Sequence, residues 1–406
     1  MKKNPIAISN DVFFVAGCYH GAIYDLNHNK IYSVNHDANN FLLRLVQGGE
    51  VETEEEKEYL RKLEQENLFC RDFLFKEYIP NFQKQNKLNF AWLEVTQTCN
   101  LRCVHCYEGE SHHSVDNRLT FLDWKRIIKE LSESGCPNVQ FIGGEPSCCS
   151  NIIELIDYAG TFEFQSIAFF TNATLITDDL LSCFIRNGIK VKVSLYGHIA
   201  EVHDAITQIS GSFNKTVANI IKMIKHGLQV TVAVTVMREN ERYFEQICEF
   251  IKSFGAQHHK FDLVREVAGC HQNCHLATRE DLIAKKYRIK PSFSISKAQF
   301  GNAFANNTCW YGKFAITENG DVLPCVFERG ITYGNLQEIS IKQLLESSTL
   351  NQYWHMDYTQ IEECKDCEYR FACKDCRPLG MLNGGIDKKS IRCLYHPLTG
   401  EWSGIK

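Results

Sequence analysis

Hydrophobic and polar positions change rhythm three times along the chain. Over residues 12–34 the short apolar runs FFVAG, GAIYDL and KIYSV are broken by turn residues and predict three strands. Two helical stretches follow, Ala38–Val46 and Glu54–Leu68, the second charged on one face with Leu60 and Leu63 on the other. A polar stretch, NFQKQNK at 81–87, ends this part. From Phe90, apolar runs at 90–95, 139–142, 166–170, 190–195, 228–236 and 260–264 alternate with amphipathic stretches. Trp124, Ile127, Ile128 and Leu131 share a helical face at i, i+3, i+4, i+7, as do Val217, Ile220, Ile221 and Ile224. Six strand–helix repeats predict an α/β fold, a parallel sheet with helices outside it, curved or closed into a barrel. In such sheets the chemistry gathers at the C-terminal ends of the strands. Past residue 265 the chain turns irregular and turn-rich, with no internal repeat or low-complexity segment. The expected parts are residues 1–80, 88–268 and 269–406.

Charge changes this picture little. A net charge of −5 over 406 residues argues against nucleic acid or an anionic membrane as the main partner. The N-terminus carries no Arg-rich or apolar leader, and no apolar run is long enough to span a bilayer, so a cytosolic protein is expected. Nineteen cysteines change it a great deal, because a reducing compartment disfavours disulfides and clustered thiols there point to metal. Cys136, Cys183 and Cys248 stand singly in apolar elements and read as small buried hydrophobes.

The first cluster, Cys99-x3-Cys103-x2-Cys106, directly follows the first strand of the alternating region. Structural zinc wants four ligands, and the only fourth donor nearby, His105, is adjacent to Cys106, a poor position for closing a tetrahedron. Three thiolates on one loop suit a [4Fe–4S] cluster that keeps one iron open for a non-protein ligand. Spacing favours iron–sulfur over zinc and leaves both open.

This cysteine pattern after the first strand of a βα barrel resembles the signature of radical S-adenosylmethionine (SAM) enzymes. The resemblance implies a partial (β/α)6 TIM-like barrel in which the open iron chelates the amino and carboxylate groups of SAM. His105, just before the third cysteine, would border the adenine. Gly143, Gly144, Glu145 and Pro146 resemble the motif that binds the methionine amino group, with glycines for close backbone approach. Glu145 offers a carboxylate to that group or to a salt bridge. In FFTNAT, 169–174, Thr171 and Asn172 would contact the ligand, and in SLYG, 194–197, Ser194 would contact its ribose or carboxylate. The implied chemistry is one-electron cleavage of the sulfonium to a 5′-deoxyadenosyl radical, which takes hydrogen from an unactivated C–H bond.

The tail reads Cys309-x15-Cys325, then Cys364-x2-Cys367-x5-Cys373-x2-Cys376, then Cys393. It resembles the SPASM extension of radical enzymes that modify peptides, which binds two auxiliary [4Fe–4S] clusters. By that resemblance Cys309, Cys325 and Cys376 ligate the first, and Cys364, Cys367, Cys373 and Cys393 the second. Two features depart from the pattern: the family has three residues between the last pair, and the first cluster lacks a fourth thiolate. Cys270 or Cys274 would supply it, or it stays open for a substrate thiolate. Read on spacing alone, paired C-x2-C motifs also suit zinc ribbons.

The front end, strands then helices, resembles the small winged-helix element that precedes many maturases of ribosomally made peptides and takes a leader peptide as an added strand. A structural cap is the alternative. Together these resemblances imply a maturase that recognises a precursor peptide, draws electrons from a donor such as flavodoxin or ferredoxin, and installs a cross-link. A Cys thioether leads, with carbon–carbon or ether links behind it. The sulfatase-maturing relatives that make formylglycine carry an Asp directly after the second tail cysteine, where this chain has Val326. An iron–sulfur protein without catalysis is the other alternative. No residue identifies a catalytic base: Arg265, Glu266 and Glu328 are titratable groups near the expected cavity mouth, and His112, His113, His258 and His259 read as surface.

Overall fold

The computed structural model describes residues 4–78, 86–107, 118–256, 258–266 and 275–403, which fall into two compact units. One comprises Met1–Gln85, Arg288–Tyr311 and Gln352–Lys406; the other comprises Asn86–Tyr287 and Gly312–Asn351.

In the first unit, strands β1 (Ile6–Ser9), β2 (Val12–Ala16), β3 (Gly21–Asp25), β4 (Lys30–Val34) and β5 (Lys76–Glu77) form an antiparallel sheet in the order β4-β3-β2-β1-β5. Two of these strands escape the apolar pattern: β1 is four residues long, and β5 is two exposed polar residues recruited by pairing with β1. Helices α1 (His36–Val46) and α2 (Glu54–Gln65) follow, the latter started by a reciprocal capping box between Thr53 and Glu56. The run VFFVA is apolar throughout because β2 is covered on both faces. Phe14 and Ile23 pack with Phe41, Leu42, Leu60 and Leu63 of the helices. Phe13, Val15 and Tyr24 pack with Ile295, Phe300, Tyr369 and Phe371 from the far end of the chain.

In the second unit, β6 (Phe90–Glu94), β7 (Asn138–Ile142), β8 (Ser166–Thr171), β9 (Lys190–Ser194), β10 (Val230–Val236) and β11 (His258–Leu263) run parallel and in sequence order. Helices α3 (Phe121–Glu133), α4 (Ile152–Ala159), α5 (Asp178–Arg186), α6 (Ala200–Thr207), α7 (Ser212–Lys225) and α8 (Phe244–Ser253) connect them. The α3 stripe Trp124, Ile127, Ile128 and Leu131 is buried as its spacing requires. On α7 the fully buried stripe is rotated to Ser212, Thr216, Ile220 and Met223, because Thr216 Oγ1 donates to the Asn172 carbonyl at 2.8 Å. Val217, Ile221 and Ile224 are half-buried.

Among the described residues the sheet does not close. A strand from the tail, β12 (Lys313–Ile316), pairs in parallel with β6, and β13 (Asp321–Leu323) and β14 (Gly334–Asn335) extend it to nine strands with β11 and β14 at the edges. The result is a partial barrel. Among the described residues no helix is long and apolar enough to cross a membrane.

Candidate active site

Parallel strands bring the loops after β6, β7, β8 and β9 to one edge of the sheet. The loop after β6 carries Cys99, Cys103 and Cys106, all half-buried. It is fastened to α6, whose last carbonyls, Ile206 and Thr207, accept the amides of Val104 and Arg102 at 3.0 Å each. Each thiol lies within electrostatic reach of the others, and the Leu101 amide donates to Cys99 Sγ at 3.4 Å. Burial first, then the neighbouring Glu145 and thiols, pushes Cys99 up to about 12. Zinc needs its donors about 2.3 Å from one point. Among the described residues no three His, Cys, Asp or Glu side chains converge in that way.

The loop after β7 lies against the backbone that leads into the cysteines. Gly144 N donates to the Thr96 carbonyl at 2.7 Å and Glu145 N to the Thr98 carbonyl at 2.8 Å. A Cβ on Gly143, whose φ is +155°, would lie 2.1 Å from Thr96 O, and one on Gly144 2.4 Å from Gln97 O. Only glycine fits there. Pro146 opens a short 3₁₀ turn over Pro146–Cys148, capped by Glu145.

Glu145 is fully buried and both carboxylate oxygens are engaged. Oε1 accepts Thr171 Oγ1 at 2.7 Å and Ser147 N at 3.1 Å, and Oε2 accepts Asn172 N at 2.7 Å. Burial raises its pKa and these donors oppose the rise. Asn172 Nδ2 donates to Asn100 Oδ1 at 2.9 Å, and Asn100 Nδ2 to Thr174 Oγ1 at 2.7 Å. Glu145, Thr171 and Asn172 thus brace the cysteine loop against the ends of β7 and β8.

Ser194 closes β9, two residues before Tyr196. The Tyr196 ring meets His105 edge-on at 4.7 Å and stacks on His203 at 5.5 Å. Burial, with His275 nearby, pushes His105 down to about 4, and among the described residues its Nδ1 is buried without a hydrogen-bond partner.

Sequence reasoning passed over the charged groups around this edge. Glu94, the last residue of β6, is paired with Arg329, whose guanidinium lies 5.4 Å from the Tyr107 ring. Glu318 accepts the Gln97 amide and pairs with Arg118. An acid ending the apolar strand FAWLE was a readable signal; nothing local marks Arg329 or Glu318. Phe327 joins Tyr107 at 5.5 Å and Arg265 at 5.2 Å, beside Trp92, Ile142, Phe170 and Val326. Glu328 is buried, its pKa raised by that burial, with Oε1 accepting Gly330 N at 2.8 Å. Arg265 pairs with Asp262; Glu266 and His259 are half-buried and His258 is exposed. His112 and His113 lie outside the described residues, as do Cys270 and Cys274.

In the other unit, Cys373 lies within electrostatic reach of Cys364, Cys367 and Cys393, and burial raises the pKa of all four thiols. The amide of Arg377, next to the buried Cys376, donates to Cys309 Sγ at 3.5 Å. Cys325 is buried in the barrel unit.

With this geometry in hand, comparisons with known proteins are specific. Residues 93–251 match the radical SAM superfamily, and residues 309–368 match SPASM, an iron–sulfur cluster-binding domain. The chain is 32% identical over 310 residues to mycofactocin maturase MftC of Mycolicibacterium smegmatis, covering 72% of this chain and 76% of that one. It is 24% identical over 340 residues to an AdoMet-dependent heme synthase of Oleidesulfovibrio alaskensis, covering 76% and 87%. In fold it is similar to Streptococcus suis SuiB at 14% identity and a TM-score of 0.62, covering 95% of this chain and 99% of that one. SuiB bound to its precursor peptide SuiA gives a TM-score of 0.61.

Proposed function

The chain belongs to the radical SAM superfamily and carries an iron–sulfur-binding SPASM segment, and from that premise we propose that it matures a ribosomally made precursor peptide. Bound SAM and its cluster supply a radical that abstracts hydrogen. The observation that carries the reading is the abutment of the three-cysteine loop on the glycine pair Gly143–Gly144, a backbone contact so close that only glycine fits and the thiols are held beside the loop after β7. In this reading Cys99, Cys103 and Cys106 hold the first [4Fe–4S] cluster. Gly143 and Gly144 admit the methionine end of SAM, and the unpartnered Nδ1 of His105 faces its adenine end. Glu145, Pro146, Thr171 and Asn172 keep the loops in register, and Ser194 completes the strand-end set.

Two auxiliary clusters make three in all. Cys364, Cys367, Cys373 and Cys393 hold one, supported by their mutual proximity. Cys309, Cys325 and Cys376 hold the other, with Cys270, Cys274 or a substrate thiolate as fourth ligand.

Residues 1–80 serve as the leader-recognition element, residues 88–268 as the catalytic barrel and residues 269–406 as the cluster-bearing extension. The peptide reading draws on the likeness to a maturase and on a fold shared with SuiB over nearly the whole chain, front sheet included. The product is a cross-link, a Cys thioether first and a carbon–carbon or ether link second; Val326 in place of an acid argues against formylglycine formation. A flavodoxin or ferredoxin supplies electrons in the cytosol.

The test is anaerobic reconstitution of the full chain with iron and sulfide, then dithionite, SAM and the peptide encoded beside the gene. Release of 5′-deoxyadenosine, together with a peptide lighter by two hydrogens, supports the reading. No nucleoside above background, or turnover of a porphyrin in place of the peptide, overturns it.

A further inference from the structure

Consecutive residues in the loop after β10, Asn240 and Glu241, tie together the ends of β9, β10 and β11. Asn240 is buried: its Oδ1 accepts Met237 N at 2.8 Å, and its Nδ2 donates to the Tyr196 and Thr235 carbonyls at 3.0 Å each. Glu241, 7% exposed, reaches the other way, to the segment that follows β11. Its Oε1 accepts Thr278 Oγ1 at 2.6 Å, and its Oε2 accepts Thr278 N at 2.6 Å and Arg279 N at 2.9 Å. The Arg279 guanidinium closes this clamp, donating to the Glu241 carbonyl at 3.1 Å and to the Glu245 carboxylate at 2.8 and 2.9 Å. Just before it, Arg238 N donates to the His275 carbonyl at 3.1 Å, and Glu239 pairs with the His275 ring. What the clamp seats is Leu276. That side chain packs on the cluster of Tyr196, Val202, Ile206, Met237 and Val264, and so do Cys103 and Val104 of the cysteine loop. Tyr196 in turn meets His105 edge-on at 4.7 Å, the residue whose buried Nδ1 has no partner among the described residues.

We propose that Glu241 is a positioning residue for SAM: through Thr278 and Arg279 it seats Leu276 on the wall shared with the cysteine loop, and so shapes the adenine end of the site before SAM arrives. The proposal rests on the SAM reading above and deepens it. A wall already fixed by hydrogen bonds has no ordering cost left to meet when the ligand binds, and that saving appears as affinity. The bonds that fix it are the strong kind, since a carboxylate acceptor makes each roughly twice as strong as a neutral pair. Removing one of them leaves the thiols and the glycine pair where they are and lets Leu276 move. Affinity for SAM then falls while cluster assembly does not.

The experiment is equilibrium dialysis with radiolabelled SAM on the anaerobically reconstituted full chain, with iron content measured on the same samples. Thr278→Val keeps the branched shape and removes the hydroxyl donor. The Kd for SAM should rise roughly threefold to tenfold at unchanged iron content. Thr278→Ser keeps the hydroxyl and should bind SAM as wild type does, a rescue that depends on the bond to Glu241. Wild-type affinity in Thr278→Val overturns the proposal, and so does Thr278→Ser binding as weakly as Thr278→Val. If Thr278→Val loses iron, Glu241→Gln decides: weaker SAM binding at full iron content supports the clamp, and wild-type affinity or lost iron overturns it. A wild-type chain that holds iron and binds no SAM overturns the SAM reading and this proposal with it, so the two failures are distinct.

Discussion

Arg329 meets Glu94 with both arms of its guanidinium, Nη1 to Oε2 at 2.8 Å and Nη2 to Oε1 at 2.9 Å. Glu94 is 1% exposed, so losing Arg329 strips two charge-assisted hydrogen bonds from a buried carboxylate. Arg329→Ala should destabilise the fold by about 3 kcal/mol, while Glu94→Leu with Arg329→Leu should cost markedly less. Urea denaturation of both variants checks this; equal losses would show that the pair is not coupled.

Gly143→Ala should empty the cluster site proposed for Cys99, Cys103 and Cys106 and spare those proposed for the tail. The new methyl would lie 2.1 Å from the Thr96 carbonyl, at a φ that side chains rarely adopt, so the loop must move away from the cysteine loop. The expected result is loss of the SAM-responsive iron–sulfur signal with the tail signals retained. An unaltered spectrum would show that this close approach does not matter for assembly.

His203 should make stability depend on pH. Burial lowers its pKa to about 4, so it stays neutral in the fold while the unfolded chain takes up a proton below about 6.5. The unfolded state then binds more protons between those values, and stability is full above about pH 6.5 and falls as pH drops towards 4. The slope attributable to this group is about 1.4 kcal/mol per pH unit. Urea midpoints at pH 7.5 and 5.5 should diverge less in His203→Gln than in wild type.

Phe300 should be the most damaging single truncation in the first unit. It is fully buried, stacked on Phe13 at 5.3 Å and in ring contact with Tyr24, Tyr78 and Phe371. Phe300→Ala should cost about 3–5 kcal/mol. A loss under about 1 kcal/mol by thermal or urea unfolding would mean that the neighbouring rings close over the gap.

The barrel was legible because its strands are continuous apolar runs and its helices keep a 3.6-residue period. All six strands lie within two residues of the ranges read from the pattern. β12 was missed because a four-residue strand that returns after an irregular stretch leaves no periodic trace. β5 was missed because Lys76 and Glu77 carry no apolar signal. At the site, spacing could mark Cys99, Cys103, Cys106 and the glycines, since those features are local. That Glu145 would be fully engaged by Thr171 and Asn172, or that Tyr196 would meet His105 edge-on, depends on tertiary neighbours far off in sequence.

The front sheet buries Phe13, Val15 and Tyr24 under Ile295, Phe300, Tyr369 and Phe371, which leave the ribosome well after them. At roughly 5–20 residues per second the nascent sheet displays a bare greasy face for roughly 15–70 s. That face of the sheet is covered only after these distant residues have been made. A chaperone's attention during synthesis, and sensitivity to chain termination ahead of Phe371, come with that arrangement.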